Sequence, residues 1–216
     1  MRRCVVVIAG MAAAMLAPAA SAQANDPILF VHGFASSGST WNTMIGRFQT
    51  DGYASADLNN WTYNTAQSNA TTADQLAARV SEVRAATGAA KVDVITHSMG
   101  ALSSRYYLKN LDGTRYVDDW VSLGGPSHGT PTALLCSVLA SCREMSPGSS
   151  FLNALNSGDE TPGEVNYGTW RSPCDLVVPG SSPSLSGATN TVTGCILHTA
   201  LPSNATVYGQ VRDFVD

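Results

Sequence analysis

Short apolar runs alternate along this chain with segments whose apolar residues recur at helical spacing. Residues 28–31 and 92–95 are continuously apolar, as strands buried on both faces of a sheet require. In the segments between such runs, apolar side chains recur every three to four residues, which is typical of helices that pack one face on a core. The alternation predicts an α/β fold, with a mostly parallel sheet flanked by helices on both faces.

The pattern also places the individual elements. Strands are predicted at 28–31, 53–58, 92–95, 120–124, 165–170 and, more weakly, 188–193. Helices are predicted near 41–48, over 72–87 with a capping box at 72–75, over 99–109, and after the cap Asn204. The region 125–163 is rich in Gly, Ser and Pro, and we expect open loops there, with short helical pieces near 133–139 and 151–155.

The first 24 residues stand apart from this pattern. Arg2 and Arg3 precede a nearly continuous apolar stretch, and Ala20-Ser21-Ala22 gives a small-residue cleavage pattern. The stretch is short for a membrane span. We therefore predict a secretory signal peptide over 1–24, removed from an exported protein, and one catalytic domain over 25–216, a suitable length for a single core.

Composition and cysteines narrow the class of protein. Only 13% of residues are charged and the formal net charge is -4, which argues against nucleic acid or an anionic membrane as partner. Four cysteines follow the predicted signal peptide, and an even number in an exported chain indicates two disulfides. Of the three possible pairings we favour Cys136–Cys142 and Cys174–Cys195, whose members lie close in sequence or flank loops that must meet. Neither a metal nor a cofactor is predicted.

Ser98 lies where the buried strand 92–95 runs directly into a predicted helix. A serine on such a sharp turn is exposed at the end of the sheet, with the N-terminus of the following helix directed at it. The usual pattern is G-x-S-x-G, and here Thr96 takes the place of the first glycine. Ser-x-Gly alone is common in this chain, so the strand and helix around Ser98 make it the predicted nucleophile.

Thr-His-Ser-Met-Gly at 96–100, together with Phe-Val-His-Gly-Phe at 30–34, resembles the small bacterial class 2 lipases. The resemblance extends over essentially the whole chain after the signal peptide and is poorest at 125–163. It implies a reduced α/β-hydrolase fold with a six-stranded parallel sheet, little or no lid, and hydrolysis of carboxylic esters without a metal. Thr96 departs from the family pattern, where Ala or Gly is more frequent.

A serine hydroxyl needs a general base, and in this fold the order along the chain is Ser, acid, His. Only His128 and His198 follow Ser98, and only His198 leaves room for an acid after a late strand. Asp175 stands just beyond a predicted strand and inside an apolar run, where a carboxylate needs a buried partner. We predict the triad Ser98, Asp175 and His198.

The tetrahedral intermediate of ester hydrolysis needs two backbone N–H donors. One is expected from Met99, the residue after the nucleophile, and the other from Phe34, in the loop after the first strand. Both side chains are apolar, so we expect them to line an acyl site for hydrophobic substrates.

The sequence thus predicts a secreted, monomeric lipase or carboxylesterase acting on lipid or other hydrophobic esters. Polyester hydrolase, thioesterase and acyltransferase activities use the same chemistry and remain alternatives, since the sequence does not distinguish them. A binding module that has kept the fold without catalysis is a further alternative, disfavoured by a complete triad. Acyl chain length stays open.

Overall fold

The computed structural model describes residue 1 and residues 25–215, so the predicted signal peptide lies outside the described residues apart from Met1. Six strands form one sheet in the order β2-β1-β3-β4-β5-β6, and all neighbouring pairs are parallel. The strands are β1 Ile28–Val31, β2 Leu58–Asn60, β3 Val92–His97, β4 Val117–Leu123, β5 Asn166–Arg171 and β6 Thr189–Val192. The predicted α/β fold with a parallel sheet is confirmed.

Helices cover both faces of the sheet. They are α1 Asn42–Thr50, α2 Asn69–Thr87, α3 Gly100–Asn110, α4 Ala140–Met145, α5 Ser150–Asn156 and α6 Ala205–Val215. One core cluster joins α2 and α3 to one sheet face and a second joins α1 and α6 to the other, so β1 and β3 are buried on both sides. This two-sided burial is why their sequences are continuously apolar.

Three predicted elements begin elsewhere in the structure. Residues 55–57 form a 3-10 turn and the strand expected at 53–58 instead covers Leu58–Asn60, where one side chain is buried. Strand β4 begins at Val117, three residues before the predicted start. Helix α2 begins at Asn69, because Ser68 accepts a hydrogen bond from the N–H of Ala70, so the capping box predicted at 72–75 is wrong.

A contact from a distant helix fixes the start of α2. The carboxylate of Glu144, on α4, accepts hydrogen bonds from the hydroxyl of Ser68, at 2.7 Å, and from the backbone N–H of Asn69, at 2.6 Å. Two otherwise unpaired groups at the helix start are thus satisfied by a negative charge, which the N-terminus of a helix favours. The contact also ties the segment 131–145 to the body of the fold.

In the segment 125–163 the sequence predicts open loops with short helical pieces near 133–139 and 151–155. The structure has a 3-10 helix, Pro131–Cys136, followed by α4 and α5, so the 3-10 helix and α5 lie at the two predicted pieces and α4 lies between them. A disulfide between Cys136 and Cys142 joins the 3-10 helix to α4. We call residues 130–145 the clasp segment. Several of its apolar side chains face solvent, among them Leu135, whose exposed fraction is 91%.

Candidate active site

The predicted nucleophile lies on the turn between β3 and α3, at the carboxyl edge of the sheet. The backbone φ of Ser98 is +54°, in the left-handed region that side chains other than glycine rarely adopt. Its N–H donates to the carbonyl of Leu123 at the end of β4, which fixes the turn against the neighbouring strand. Strained backbone of this kind is concentrated at functional sites.

The residues on either side of Ser98 explain how so sharp a turn packs. A Cβ on Gly100 would lie 2.7 Å from the carbonyl oxygens of Val31 and His32, so only glycine allows α3 to approach β1 this closely. Thr96, the departure from the family pattern, is fully buried, and its hydroxyl donates to the carbonyl of Val121 at 2.8 Å. The threonine is therefore accommodated without an unpaired buried hydroxyl.

His198 and Asp175 form a buried pair. Nδ1 of His198 lies 2.7 Å from Oδ2 of Asp175. The other carboxylate oxygen, Oδ1, accepts from the N–H groups of Val177 and Val178 at 2.9 and 2.8 Å. Burial opposes ionisation of Asp175, but the hydrogen bonds from His198 and Val178 outweigh it, so the pKa of this carboxyl is lowered from its ordinary value.

The end of β4 and a disulfide lie beside this pair. Gly124 follows β4 with φ +61°, and a Cβ there would lie 3.1 Å from Oδ2 of Asp175 and 3.2 Å from Nδ1 of His198. The disulfide Cys174–Cys195 joins the loop that carries Asp175 to the loop that carries His198. The position therefore needs glycine, and the two loops are covalently linked beside the pair.

The other three histidines have different surroundings. His32 donates to the carbonyl of Gly33 through Nδ1 at 2.9 Å and accepts from the N–H of Tyr63 through Nε2, so both ring nitrogens are bonded to backbone near the loop after β1. His128 is exposed and its Nε2 lies 2.9 Å from the carboxylate of Glu160. The ring of His128 is therefore directed at the largely buried carboxylate of Glu160.

His97, directly before Ser98, packs against the loop that carries His198. Nε2 of His97 lies 3.0 Å from the carbonyl oxygen of His198, and the two ring centroids are 4.7 Å apart. Burial, together with the nearby charge of His198, lowers the pKa of His97 to about 3. The ring is therefore neutral at physiological pH and donates through Nε2 to the backbone of His198.

Phe34 and Met99, the predicted oxyanion donors, lie in the loop after β1 and at the start of α3. Phe34 lines the cavity space beside Ser98, as expected. The side chain of Met99 is fully buried in the core, so the expectation that it lines an acyl site is wrong. Met145 and Ala133 of the clasp segment provide apolar wall beside Ser98 instead.

Within residues 25–215, no helix combines the length and hydrophobicity needed to cross a membrane. In the same part of the chain, no three His, Cys, Asp or Glu side chains are grouped as a metal site.

The six-stranded parallel sheet, with Ser98 on a left-handed turn after its central strand, defines an α/β-hydrolase. Residues 25–194 match the family described as Lipase (class 2), and the chain belongs to that family. It is therefore a hydrolase of the lipase and esterase kind, as the resemblance at 30–34 and 96–100 implied.

Solved structures share the fold at low sequence identity. The mature form of Bacillus licheniformis lipase BlEst2 is 20% identical, with a TM-score of 0.76 over 90% of this chain and 93% of that one. Aspergillus fumigatus lipase B is 20% identical, with a TM-score of 0.73 over 86% of this chain and 51% of that one. A putative non-heme bromoperoxidase, BpoC, from Mycobacterium tuberculosis H37Rv is 14% identical with a TM-score of 0.64, over 89% of this chain and 93% of that one. At these identities the likeness shows the fold alone.

Proposed function

We propose that this protein is a secreted, monomeric carboxylic ester hydrolase, a triacylglycerol lipase or esterase, that cleaves its substrate through an acyl-enzyme on Ser98. The observation that carries the proposal is the buried His198–Asp175 pair, which lies with Ser98 at the carboxyl edge of the sheet. Residues 1–24 would be its signal peptide and the remainder one catalytic domain. The two disulfides support export, since such bonds persist in oxidising compartments.

In the proposed first half-reaction, Oγ of Ser98 attacks the ester carbonyl carbon while Nε2 of His198 takes the hydroxyl proton. Asp175 accepts from Nδ1 of His198, which fixes the tautomer and stabilises the imidazolium ion. The N–H groups of Phe34 and Met99 would donate to the oxyanion. As the carbon–oxygen bond to the alcohol breaks, His198 gives its proton to the leaving oxygen, and Ser98 remains acylated.

Water completes the reaction by the same steps in reverse order. His198 takes a proton from a water molecule while the oxygen of that water attacks the acyl carbon. The second tetrahedral intermediate then expels Oγ of Ser98, which recovers the proton from His198, and the carboxylic acid leaves.

Labelling with a fluorophosphonate tests the nucleophile, since this reagent reacts with activated serines. We expect labelling and hydrolysis of p-nitrophenyl esters by the native protein, and neither by Ser98→Ala. Ser146→Ala is the matched control: Ser146 also stands in a Ser-x-Gly sequence, but its hydroxyl donates to the carbonyl of Cys142. Labelling that persists in Ser98→Ala would show that another residue is the nucleophile.

A further inference from the structure

Two cavities meet at Ser98. The smaller has a volume of about 260 Å³ and the larger about 320 Å³. Phe34, Ser98 and Val177 line both, so these residues stand at the boundary between the two. An ester whose carbonyl binds at Ser98 therefore has two separate spaces available for its acyl chain and its alcohol.

The smaller cavity is apolar although two threonines line it. Its wall includes Ala133 and Met145 of the clasp segment and Val178 of the acid loop. The hydroxyls of Thr130 and Thr132 both donate to the carbonyl of Val177, so their polar hydrogens are already bonded within the protein. The wall that these residues present to the cavity is therefore apolar, and it favours hydrocarbon groups of a substrate.

The larger cavity differs in chemistry. His198 lines it, together with the hydroxyl-bearing side chains of Ser36, Thr40 and Thr199. Because His198 must hand a proton to the leaving alcohol oxygen in the proposed reaction, the alcohol has to leave on the side where His198 lies.

The geometry points to a fixed division of the substrate: the acyl chain lies in the smaller cavity, against Ala133 and Met145, and the alcohol lies in the larger one. This inference rests on the proposed function and extends it to specificity. The clasp segment, where the resemblance to the family is poorest, thereby becomes the part of the chain that selects the acyl group.

The volume of the smaller cavity sets a length limit. An apolar protein cavity of about 150 Å³ accepts benzene, a molecule of six carbons, so a cavity of about 260 Å³ accepts a chain of roughly eight to ten carbons. Longer chains extend past Leu135, an exposed residue on the wall of this cavity, into water. The enzyme thus favours medium-length acyl chains, with an optimum at roughly eight to ten carbons.

A series of p-nitrophenyl esters from acetate to dodecanoate, each kept below its aggregation concentration, tests the limit because the leaving group stays constant. We expect kcat/KM to rise about threefold to fourfold per methylene up to roughly eight to ten carbons, as hydrophobic burial predicts, and then to level off or fall.

Two substitutions move the limit in opposite directions. Ala133→Leu places three more carbons in the cavity and is expected to shorten the optimum by about three carbons. Met145→Ala removes side-chain volume and is expected to lengthen it, so the inference stays testable if the first variant does not fold. Ala154→Leu makes the same change as Ala133→Leu on the exposed surface of α5, and we expect it to leave the profile unmoved.

A third variant tests which cavity holds the acyl chain and which holds the alcohol. Thr199→Leu narrows the larger cavity and is expected to leave the acyl optimum in place, whatever its effect on the overall rate. If Thr199→Leu shifts the optimum and Ala133→Leu does not, the assignment is reversed and the inference is wrong. An unchanged profile in both Ala133→Leu and Met145→Ala also overturns it. Absence of hydrolysis and of fluorophosphonate labelling in the native protein would instead contradict the proposed function.

Discussion

Ser98 combines the proposed chemistry with a strained backbone. Its φ of +54° brings the Cβ close to the following carbonyl, which costs about 1–2 kcal/mol for residues other than glycine. The residue is 8% exposed, so the surrounding packing rather than solvent holds the turn in this conformation. Part of the stability of the fold is therefore given up to present one hydroxyl at the edge of the sheet.

Ser98→Gly should separate this strain from the chemistry. Glycine adopts a positive φ freely, so we expect the free energy of unfolding to rise by about 1 kcal/mol while ester hydrolysis is lost. Thermal unfolding of the native protein, Ser98→Gly and Ser98→Ala measures the difference. Ser98→Ala removes the same hydroxyl but keeps the Cβ, so it should show no such gain, and equal stability of the two variants would mean that the turn is unstrained.

His97 is a positioning residue in the proposed mechanism, because it holds the backbone of His198 rather than the substrate. His97→Leu leaves the carbonyl of His198 without its donor, and an unsatisfied buried acceptor costs about 1–3 kcal/mol. We expect kcat to fall about tenfold or more with KM little changed.

Rescue by a conservative variant distinguishes positioning from general destabilisation of the fold. His97→Gln keeps a donor at the end of the side chain and should recover part of the kcat that His97→Leu loses, with KM again little changed. Equal losses of kcat in both variants would mean that the bond to His198 has no positioning role.

At the scale of elements, burial decides what the sequence reveals. Strands β1 and β3 are covered on both faces, so their apolar runs marked them clearly. Strand β2 has one buried side chain and was placed too early, since so short a pattern carries little periodicity. The start of α2 depends on Glu144, 75 residues beyond Asn69, and no local pattern contains that contact.

For the candidate site, too, the sequence revealed some features and not others. The order Ser98, Asp175, His198 follows from the fold class, and the sequence sufficed to nominate all three. The hydrogen bond from His97 to His198 depends on the position, in the folded protein, of a loop 101 residues further along the chain. The histidine beside the nucleophile was visible in the sequence, but its partner was not.

Strand β3 also contains a buried carboxyl group. Asp93 is 1% exposed and accepts from the N–H of Asp119 at 3.1 Å. Burial, reinforced by the nearby charges of Asp119, Asp26 and Asp118, raises the pKa of Asp93 to about 9. Native Asp93 therefore keeps its proton at neutral pH, whereas an unfolded aspartate releases it near pH 4.

The consequence is a stability that decreases with pH. Because the native pKa of Asp93 is raised, its contribution is fully present below about pH 4, is lost progressively as the pH rises toward about 9, and then levels off. Asp93→Asn removes the ionisation and keeps an acceptor for Asp119. We expect this variant to exceed the native protein in free energy of unfolding by about 1 kcal/mol or more at pH 8, and to show a flatter pH dependence.

Denaturant titrations at several pH values measure this slope. Asp74→Asn is the matched control, because Asp74 lies on the exposed surface of α2, and its pH dependence should match the native one. Parallel curves for the native protein and Asp93→Asn would contradict the prediction.

At the scale of the whole molecule, two disulfides stabilise different parts of the site. Cys174–Cys195 links the acid and base loops across 21 residues, and Cys136–Cys142 closes 6 residues of the clasp segment. In the chain-entropy account, loops of these lengths correspond to about 3 and about 2 kcal/mol of stability. Their effects on activity should differ more than their effects on stability.

Replacing both cysteines of each pair by serine separates these roles. Without Cys174–Cys195 we expect weaker hydrolysis of every ester, acetate included, because the geometry of the His198–Asp175 pair loosens. Without Cys136–Cys142 we expect the loss to be confined to longer acyl chains. Melting temperatures and kcat/KM for acetate and octanoate esters measure both effects, and full activity on acetate without Cys174–Cys195 would show that the crosslink does not hold the pair.

The sheet order has a consequence for when the proposed activity first arises. Ser98 follows the central strand β3, whereas Asp175 follows β5 and His198 follows β6, at the edge of the sheet. A ribosome therefore completes the turn at Ser98 about a hundred residues before it makes His198, and domains generally fold as units. Ester hydrolysis would thus mark chains that are synthesised and folded at least through the loop that carries His198, so that the proposed activity reports completion of the sheet.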